Sequence, residues 1–482
     1  MSISGALSNA LSGLTAASRA ASVVSSNVAN ALNDGYSRRE LELSTRTTGS
    51  YGGVQVVGVR RHVDPQVVQD LRRADSDLNF SDTVTTFRTR MEDLLGTPED
   101  SHSLAAQVAN LENALIAAAS RPDLPERLTT VLTATERLAS RFVQTSDGIQ
   151  TLREEADAEI NAAVTRLNEL FQQVERLNTD IVKAGNTGSD VAGLLDHRQT
   201  VVDEIAQYIP LREIQRDGGA IALLTPTGSF LVDGRAAELD FTASPTITPY
   251  QTLSGGHLSG LTLNGRSITT GETGLGGGRL GALFTIRDDL AVEAQAQLDS
   301  VARDMIERFQ QSGLDATRAP GDPGLFTDAG AAFLPADELG ISARIAVNPL
   351  VDPDQGGATW RLRDGLGAAT AGSAGQSALL NDMLGVLEER RLPSLPSFGT
   401  SGVSASGLSA SLLSMAGTAR HLSEQSLAFD STRHRELKER LLSQGVDTDD
   451  EMQRMMLVEQ AYSANARVVQ TIDDLMTILM GL

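Results

Sequence analysis

The stretch TDDEMQRMMLVEQAYSANARVVQTIDDLMTILMGL, Thr448 to Leu482, decides how the rest of the chain is read. Thr448-Asp449-Asp450-Glu451 has the form of a capping box, in which the Thr hydroxyl and the Glu carboxylate each satisfy a backbone N–H at a helix start. Two acidic residues lie between them, where the helix dipole favours negative charge. Behind this start, Met455, Val458, Tyr462, Asn465, Val469, Ile472, Met476 and Leu479 recur at spacings of three and four, a heptad seam polar only at Asn465. At the other end Ile3, Leu7, Ala10, Leu14, Ala17, Ala21, Val24, Val28 and Ala31 keep the same alternation. A lone helix leaves half of such a seam in water. The two ends are therefore expected to pair with each other, with neighbouring subunits, or with both; a helical hairpin closing a globular domain fits the spacing equally. A buried Asn465 would fix register and partner number, whereas at the seam's edge it would simply be wet.

Working outward, the 482 residues exceed what one hydrophobic core holds, and about three domains are expected. A hydrophobic share of 40% marks a folded chain. The aromatic share of 4%, with Trp360 the single tryptophan, argues against an aromatic-lined ligand cleft and suits Ala, Leu and Val helix seams. A net charge of −22 disfavours nucleic acid and anionic membrane surfaces as partners, since both call for clustered Lys and Arg. With no cysteine there is no disulfide framework, thiolate metal site or thiol nucleophile. Arg19 is the only charge before Asp34, so the start lacks the basic segment of a secretory signal, and no apolar run approaches the ~18 residues of a membrane span. On these features alone the chain reads as cytoplasmic.

The expected fold class is mainly α with an inserted β domain. Residues 1–36 and 448–482 form a terminal-helix coiled coil, and residues 37–63 an extended linker with room for a hairpin around Gly49 to Gly53. A helical-bundle stalk takes residues 64–209, 279–315 and 374–446. Its markers are Asp64-Pro65, an Asp cap followed by Pro at the first helical position, and a nearly breaker-free run from Pro125 to Ala184. Residues 210–278 read as a small β-rich outer domain, because Asp217-Gly218-Gly219, Thr225-Pro226-Thr227-Gly228, Asp233-Gly234 and Asn264-Gly265 are hairpin turn signals. Residues 316–373 are loop- and β-rich. The layout is palindromic, with the termini at one end and the β domain projecting at the other.

Little in the chain points to chemistry. Gly276-Gly277-Gly278-Arg279-Leu280-Gly281 fits the phosphate-cradle pattern, but no apolar strand leads into it, and it reads as a flexible link into the returning helix. The six histidines are scattered without the spacing of zinc ligands, and His197 falls on a charged helix face. Glu154-Glu155 and Glu388-Glu389 lie on expected helices, where acidic runs face water.

Residues around the two seams carry a resemblance. Asn27-Val28-Ala29-Asn30 followed by Gly35-Tyr36-Ser37-Arg38 resembles the N-terminal signature of the bacterial flagellar rod, hook and hook-associated axial proteins. Glu459-Gln460-Ala461-Tyr462-Ser463-Ala464-Asn465-Ala466-Arg467 and Thr471-Ile472-Asp473 resemble their C-terminal signature. Gly-Tyr-Ser-Arg is similar to the hook-associated junction branch, where hook and rod proteins usually show Gly-Phe-Lys. The departures are Leu32-Asn33-Asp34, where Asn-Thr-Pro is more usual, and the charged Glu459. More loosely, Leu194-Leu195-Asp196-His197-Arg198 also fits. The resemblance implies a structural protein, not an enzyme, with no cofactor or metal, exported to the extracellular flagellum by its own type III path without a cleaved signal. It implies self-association into a ring, hook protein below, a second junction protein (hook-associated protein 3) above and an export chaperone on the C-terminal helix, with no nucleic acid or membrane partner. Assembly would rest on Ile3, Leu7, Leu14, Val24, Val28, Asn30, Gly35 and the C-terminal seam. Tyr36 and Arg38, just outside the first helix, would contact a neighbouring subunit or else pack within the linker. A hook or distal-rod protein, or a hydrolase carried on a coiled coil, are the rival readings.

Overall fold

Caps and breakers set where the chain turns in the computed structural model, which describes residues 3–33, 35–46, 52–97, 99–270 and 275–481. Helix α1 (Ile3–Ala29) leads into an antiparallel hairpin, β1 (Arg39–Thr45) and β2 (Val54–Arg61). Residues 47–51, with the expected tip at Gly49, lie outside the described residues, as does Asp34 of the turn before β1. Asp64 accepts from the Gln66 amide at 3.0 Å and opens α2 (Pro65–Leu95), with Pro65 in its first turn. Ser103 caps α3 (Leu104–Ser120) through the Ala106 amide. Helix α4 (Pro125–Asn186) runs 62 residues, roughly 93 Å at 1.5 Å per residue. Its interior Gly148 is a notch, because a Cβ there would lie 2.6 Å from Leu94 Cδ2. α5 (Ala192–Tyr208) folds back on it.

Two small antiparallel sheets follow. β3 (Arg212–Gln215), β4 (Ile221–Leu224), β5 (Phe230–Asp233) and β6 (Arg235–Ala236) form the first, and β7 (Leu239–Asp240), β8 (Thr262–Leu263) and β9 (Arg266–Ser267) the second. Each turn signal read from the sequence falls between paired strands; at Asn264-Gly265 both residues have positive φ, 50° and 74°. Helix returns as α6 (Gly278–Thr285), passes through a π turn at Ile286–Leu290 and continues as α7 (Ala291–Gln310). Residues 316–373 hold a short pair, β10 (Phe326–Asp328) with β11 (Ile345–Val347), and the single-turn α8 (Arg361–Asp364). The chain ends in α9 (Ala378–Glu388), α10 (Ala405–Leu442) and α11 (Thr448–Met480). Among the described residues no helix is long and apolar enough to cross a membrane.

The protein is thus mainly α with an inserted β region and paired terminal helices. The β region does not project from the end opposite the termini. Ile221, Leu223, Leu231, Val232, Leu239 and Leu263 join the same core as α4. Asn178 of α4 bonds Ile221, and Asn168 bonds Leu239. Strands of two to four residues cannot bury a core of their own and need the helix as a cover. The Gly-rich run before α6 is likewise packed and not a flexible link: a Cβ on Gly278, whose φ is +63°, would meet the Tyr208 carbonyl at 2.4 Å. Of the described residues, none from α1 or α11 belongs to the main core.

Two buried carboxyls give the body a pH signature. Asp299 accepts from Gly340 N, Ser342 N, Ser342 Oγ and Gln295 Nε2, and Asp304 pairs with Arg308 at 2.6 Å. Burial holds both above the usual carboxylate range, outweighing those hydrogen bonds and the Arg308 charge. A raised carboxyl binds its proton more tightly folded than unfolded, so these groups favour the folded state as pH falls toward their unfolded value near 3.8. The melting temperature is expected to rise as pH is lowered from about 7 to about 5. A fall over that interval would contradict this assignment.

Candidate assembly site at the chain ends

α1 and α11 lie side by side. Asn27 meets Glu451, and the same number of residues back along α1 and onward along α11, Gly13 meets Asn465, so the pair is antiparallel and in step. A Cβ on Gly13 would lie 2.7 Å from Asn465 Oδ1, and glycine is what lets the Asn side chain seat there. The Asn465 amide donates to Ala461 O of its own helix at 2.8 Å. It sets register by shape, not by a bond across the seam.

The start of α11 differs from the capping box read in the sequence. Asp447 is the cap, accepting from Asp449 N at 2.9 Å and Asp450 N at 3.2 Å. Glu451 is thereby released from capping, and its side chain is 1% exposed. It accepts from Asn27 Nδ2 at 3.0 Å and from Arg38 Nε at 2.9 Å. Asn27, fully buried, also donates to Arg39 O, and its Oδ1 accepts from Arg39 N and from the Tyr36 hydroxyl at 2.8 Å. The guanidinium of Arg39 stacks 4.7 Å from the Tyr36 ring centre. The Tyr36 hydroxyl and Arg38 Nε, on residues expected as candidates for a neighbouring subunit, are therefore engaged inside the chain.

The same hairpin is clamped to the stalk. Asp196 of α5 accepts from Arg39 Nη2 at 3.0 Å and Arg61 Nε at 2.7 Å, bridging both strands. Arg61 reaches Ser37 and Gln199 as well, and Gly35 backs onto Thr200, whose Oγ1 would be 2.9 Å from a Cβ there. The neighbouring His197 is exposed while Asp196 and Arg198 are buried.

Of the other expected assembly residues, Val24 and Ile472 are buried, and Ile3, Leu7, Leu14, Val28, Met455, Val458 and Val469 are half-buried. Asn30 is half-buried and bonds back to Ser26 O. Tyr462, level with Ala16, stays exposed; Met476 and Leu479 also stay exposed, because the register sets Leu475 level with Ile3 and α11 continues past the described start of α1. Exposed beside them are Met452, Met456, Leu457, Val468, Ile478 and Met480, the last at 84%. A groove of about 260 Å³, lined by Val23, Leu41, Leu43, Leu457 and Val458, opens where β1 crosses the pair. Sequence reasoning missed Gly13, Asn27, Arg39, Arg61, Asp196 and Glu451 as site residues. Among the described residues no group of His, Asp and Glu is placed to hold a metal ion.

The termini are thus joined to each other and clamped to a long helical body. Residues 88–326 match the flagellar hook-associated protein FlgK helical domain, and residues 439–482 the C-terminal region of flagellar basal body rod FlgEFG proteins. Over these stretches the chain is similar to the flagellar hook-associated and rod proteins. Flagellar hook-associated protein 1 of Escherichia coli (strain K12) is 26% identical over 330 residues, 67% of this chain and 59% of that relative. The protein of the same name in Bacillus subtilis (strain 168) is 25% identical over 240 residues, 47% of each chain. The solved flagellar hook junction protein FlgK from Burkholderia pseudomallei aligns over 54% of this chain and 47% of that one, with 22% identity and a TM-score of 0.45.

Proposed function

We propose that this protein is a structural component of the bacterial flagellum that forms the junction between hook and filament and the platform on which the filament is built. The observation that carries the reading is the α1–α11 pair, latched by Asn27, Arg38 and Glu451, with an apolar face of α11 left in water. A monomer gains nothing from that face, whereas a ring of copies buries it. Val28, Tyr462, Met476 and Leu479 are the assembly contacts in this reading, with hook protein below, hook-associated protein 3 above and an export chaperone holding α11 beforehand. The protein acts outside the cell, leaves by the flagellar export path without a cleaved signal, and works by assembly and not by catalysis.

Immunogold electron microscopy of isolated hook–filament structures, with antibody to the β5–β6 turn at Asp233, tests the placement. A single band at the distal end of the hook is expected. Label along the hook or below it would move the protein to the hook or rod, and absence from the organelle would overturn the reading.

A further inference from the structure

A cleft of about 360 Å³ lies between β2, the first turns of α2, α5 and the β3–β4 hairpin. Three arginines line it, Arg61, Arg72 and Arg198. Arg61 spends Nε on Asp196 and Nη2 on Ser37 and Gln199. Arg72 spends Nε on Asp203 at 2.6 Å and Nη1 on Glu213 at 2.7 Å. Arg198 spends Nη1 on Asn178 Oδ1 at 2.9 Å and Gly219 O at 2.7 Å. Among the described residues, Arg61 Nη1, Arg72 Nη2 and Arg198 Nη2 have no acceptor in the chain. Arg198 is 6% exposed, and no carboxylate of the described residues lies within ion-pair distance of it.

We infer that this cleft binds a small oxyanion, a phosphate or a carboxylate group, held between the free N–H groups of the three arginines. Guanidinium forks suit the oxygens of either group, and Val68, Val202 and Ile221 supply apolar wall beside them. Burial, with Arg61 and Arg72 adding to it against the opposing pull of Glu213, lowers Arg198 to about 10, which marks a cation short of counter-charge. Glu213 also lines the cleft, but its charge is already met by Arg72. The carboxylates Asp196, Asp203 and Glu213 are taken up by Arg61 and Arg72, which leaves Arg198 as the guanidinium of the cleft without an ion-pair partner among the described residues. An anion seated there ties the chain-end hairpin to both α2 and α5.

The test is thermal melting of the full chain against inorganic phosphate and, separately, acetate, with ionic strength held constant by sodium chloride. A saturable rise in melting temperature is expected. A rise with phosphate names a free tetrahedral anion as the ligand; a rise with acetate alone names a carboxylate, such as a side chain of a neighbouring protein. Arg198→Gln should abolish the rise, but it also removes two bonds that hold β4. Gln69→Glu is the cleaner variant: Gln69 is exposed on the rim, its side chain makes no hydrogen bond among the described residues, and the change adds a repelling charge. Its melting without anion should match or exceed the parent's, because the new carboxylate faces the same arginines, with affinity for added anion weakened about tenfold or more. No saturable rise with either anion, or an undiminished rise in Gln69→Glu, would overturn the inference.

Discussion

Glu451→Ala is expected to release the terminal helix pair while the helical body stays folded. Among the described residues Glu451 is the single carboxylate in contact with Arg38, and it also receives the buried amide of Asn27. Its loss leaves a largely buried guanidinium and one amide N–H without their acceptor. Removing one partner of a buried pair costs about 3–5 kcal/mol. The α1–α11 contact has little to set against that cost, since its seam is rich in alanine and much of it is only half-buried. Hydrogen exchange should show α1 and α11 losing protection together, with α4 and the hairpin, still clamped by Asp196, largely unchanged, because no described residue of α1 or α11 joins the main core. Glu451→Gln, which keeps one acceptor oxygen, should fall between. Unchanged protection across Val24 and Ile472 in the alanine variant would show that apolar packing alone holds the pair.

The elements were legible where a local rule fixes them. Asp64-Pro65 and Ser103 announced α2 and α3 because a cap is satisfied within three residues of itself. The turn signals of the β region did the same through positive φ. The capping box failed by one residue for a reason equally local: Asp447 and Thr448 are both good caps, and the aspartate reaches two amides. That freed Glu451 for a partner 424 residues away.

Long-range contacts left no such trace. Asp196 bridges Arg39 and Arg61 across 157 and 135 residues, and nothing in Asp196-His197-Arg198 separates the buried pair from the exposed histidine between them. Gly13 had a faint signal, since an isolated glycine inside a helical seam costs stability unless something packs on it. The position of the β region was out of reach as well. Its strands could be recognised from turns, but the decision to lay them along α4 rests on Asn168 and Asn178, two polar residues on a helix otherwise read for its apolar face.

Arg287 is expected to be the most sensitive position of the helical body. In the π turn the Ala291 N–H bonds Ile286 O, not the Arg287 carbonyl that an α-helix would offer, and the freed Arg287 carbonyl accepts from Arg153 Nε at 3.0 Å. Arg153 goes on to hold Thr248 O and Gln251 O. The Arg287 side chain, 0% exposed, donates to Asp157 at 2.6 Å and to Ser259 O at 3.0 Å, and lies over the rings of Phe241 and Phe284. Asp157 in turn accepts from Ser244 N at 2.6 Å. One residue thus joins α4, the turn and the loop between β7 and β8. Arg287→Met removes the cation and leaves Asp157 charged and buried, at a cost of about 3–5 kcal/mol. Adding Asp157→Asn should return much of that loss, since the amide oxygen still accepts from Ser244 and the fully buried charge is gone; Asp288, the other carboxylate on Arg287, lies nearer the surface. Urea denaturation of both variants decides the point. If the double variant is no more stable than Arg287→Met, lost packing against the two phenylalanines, and not the unpaired carboxylate, sets the cost.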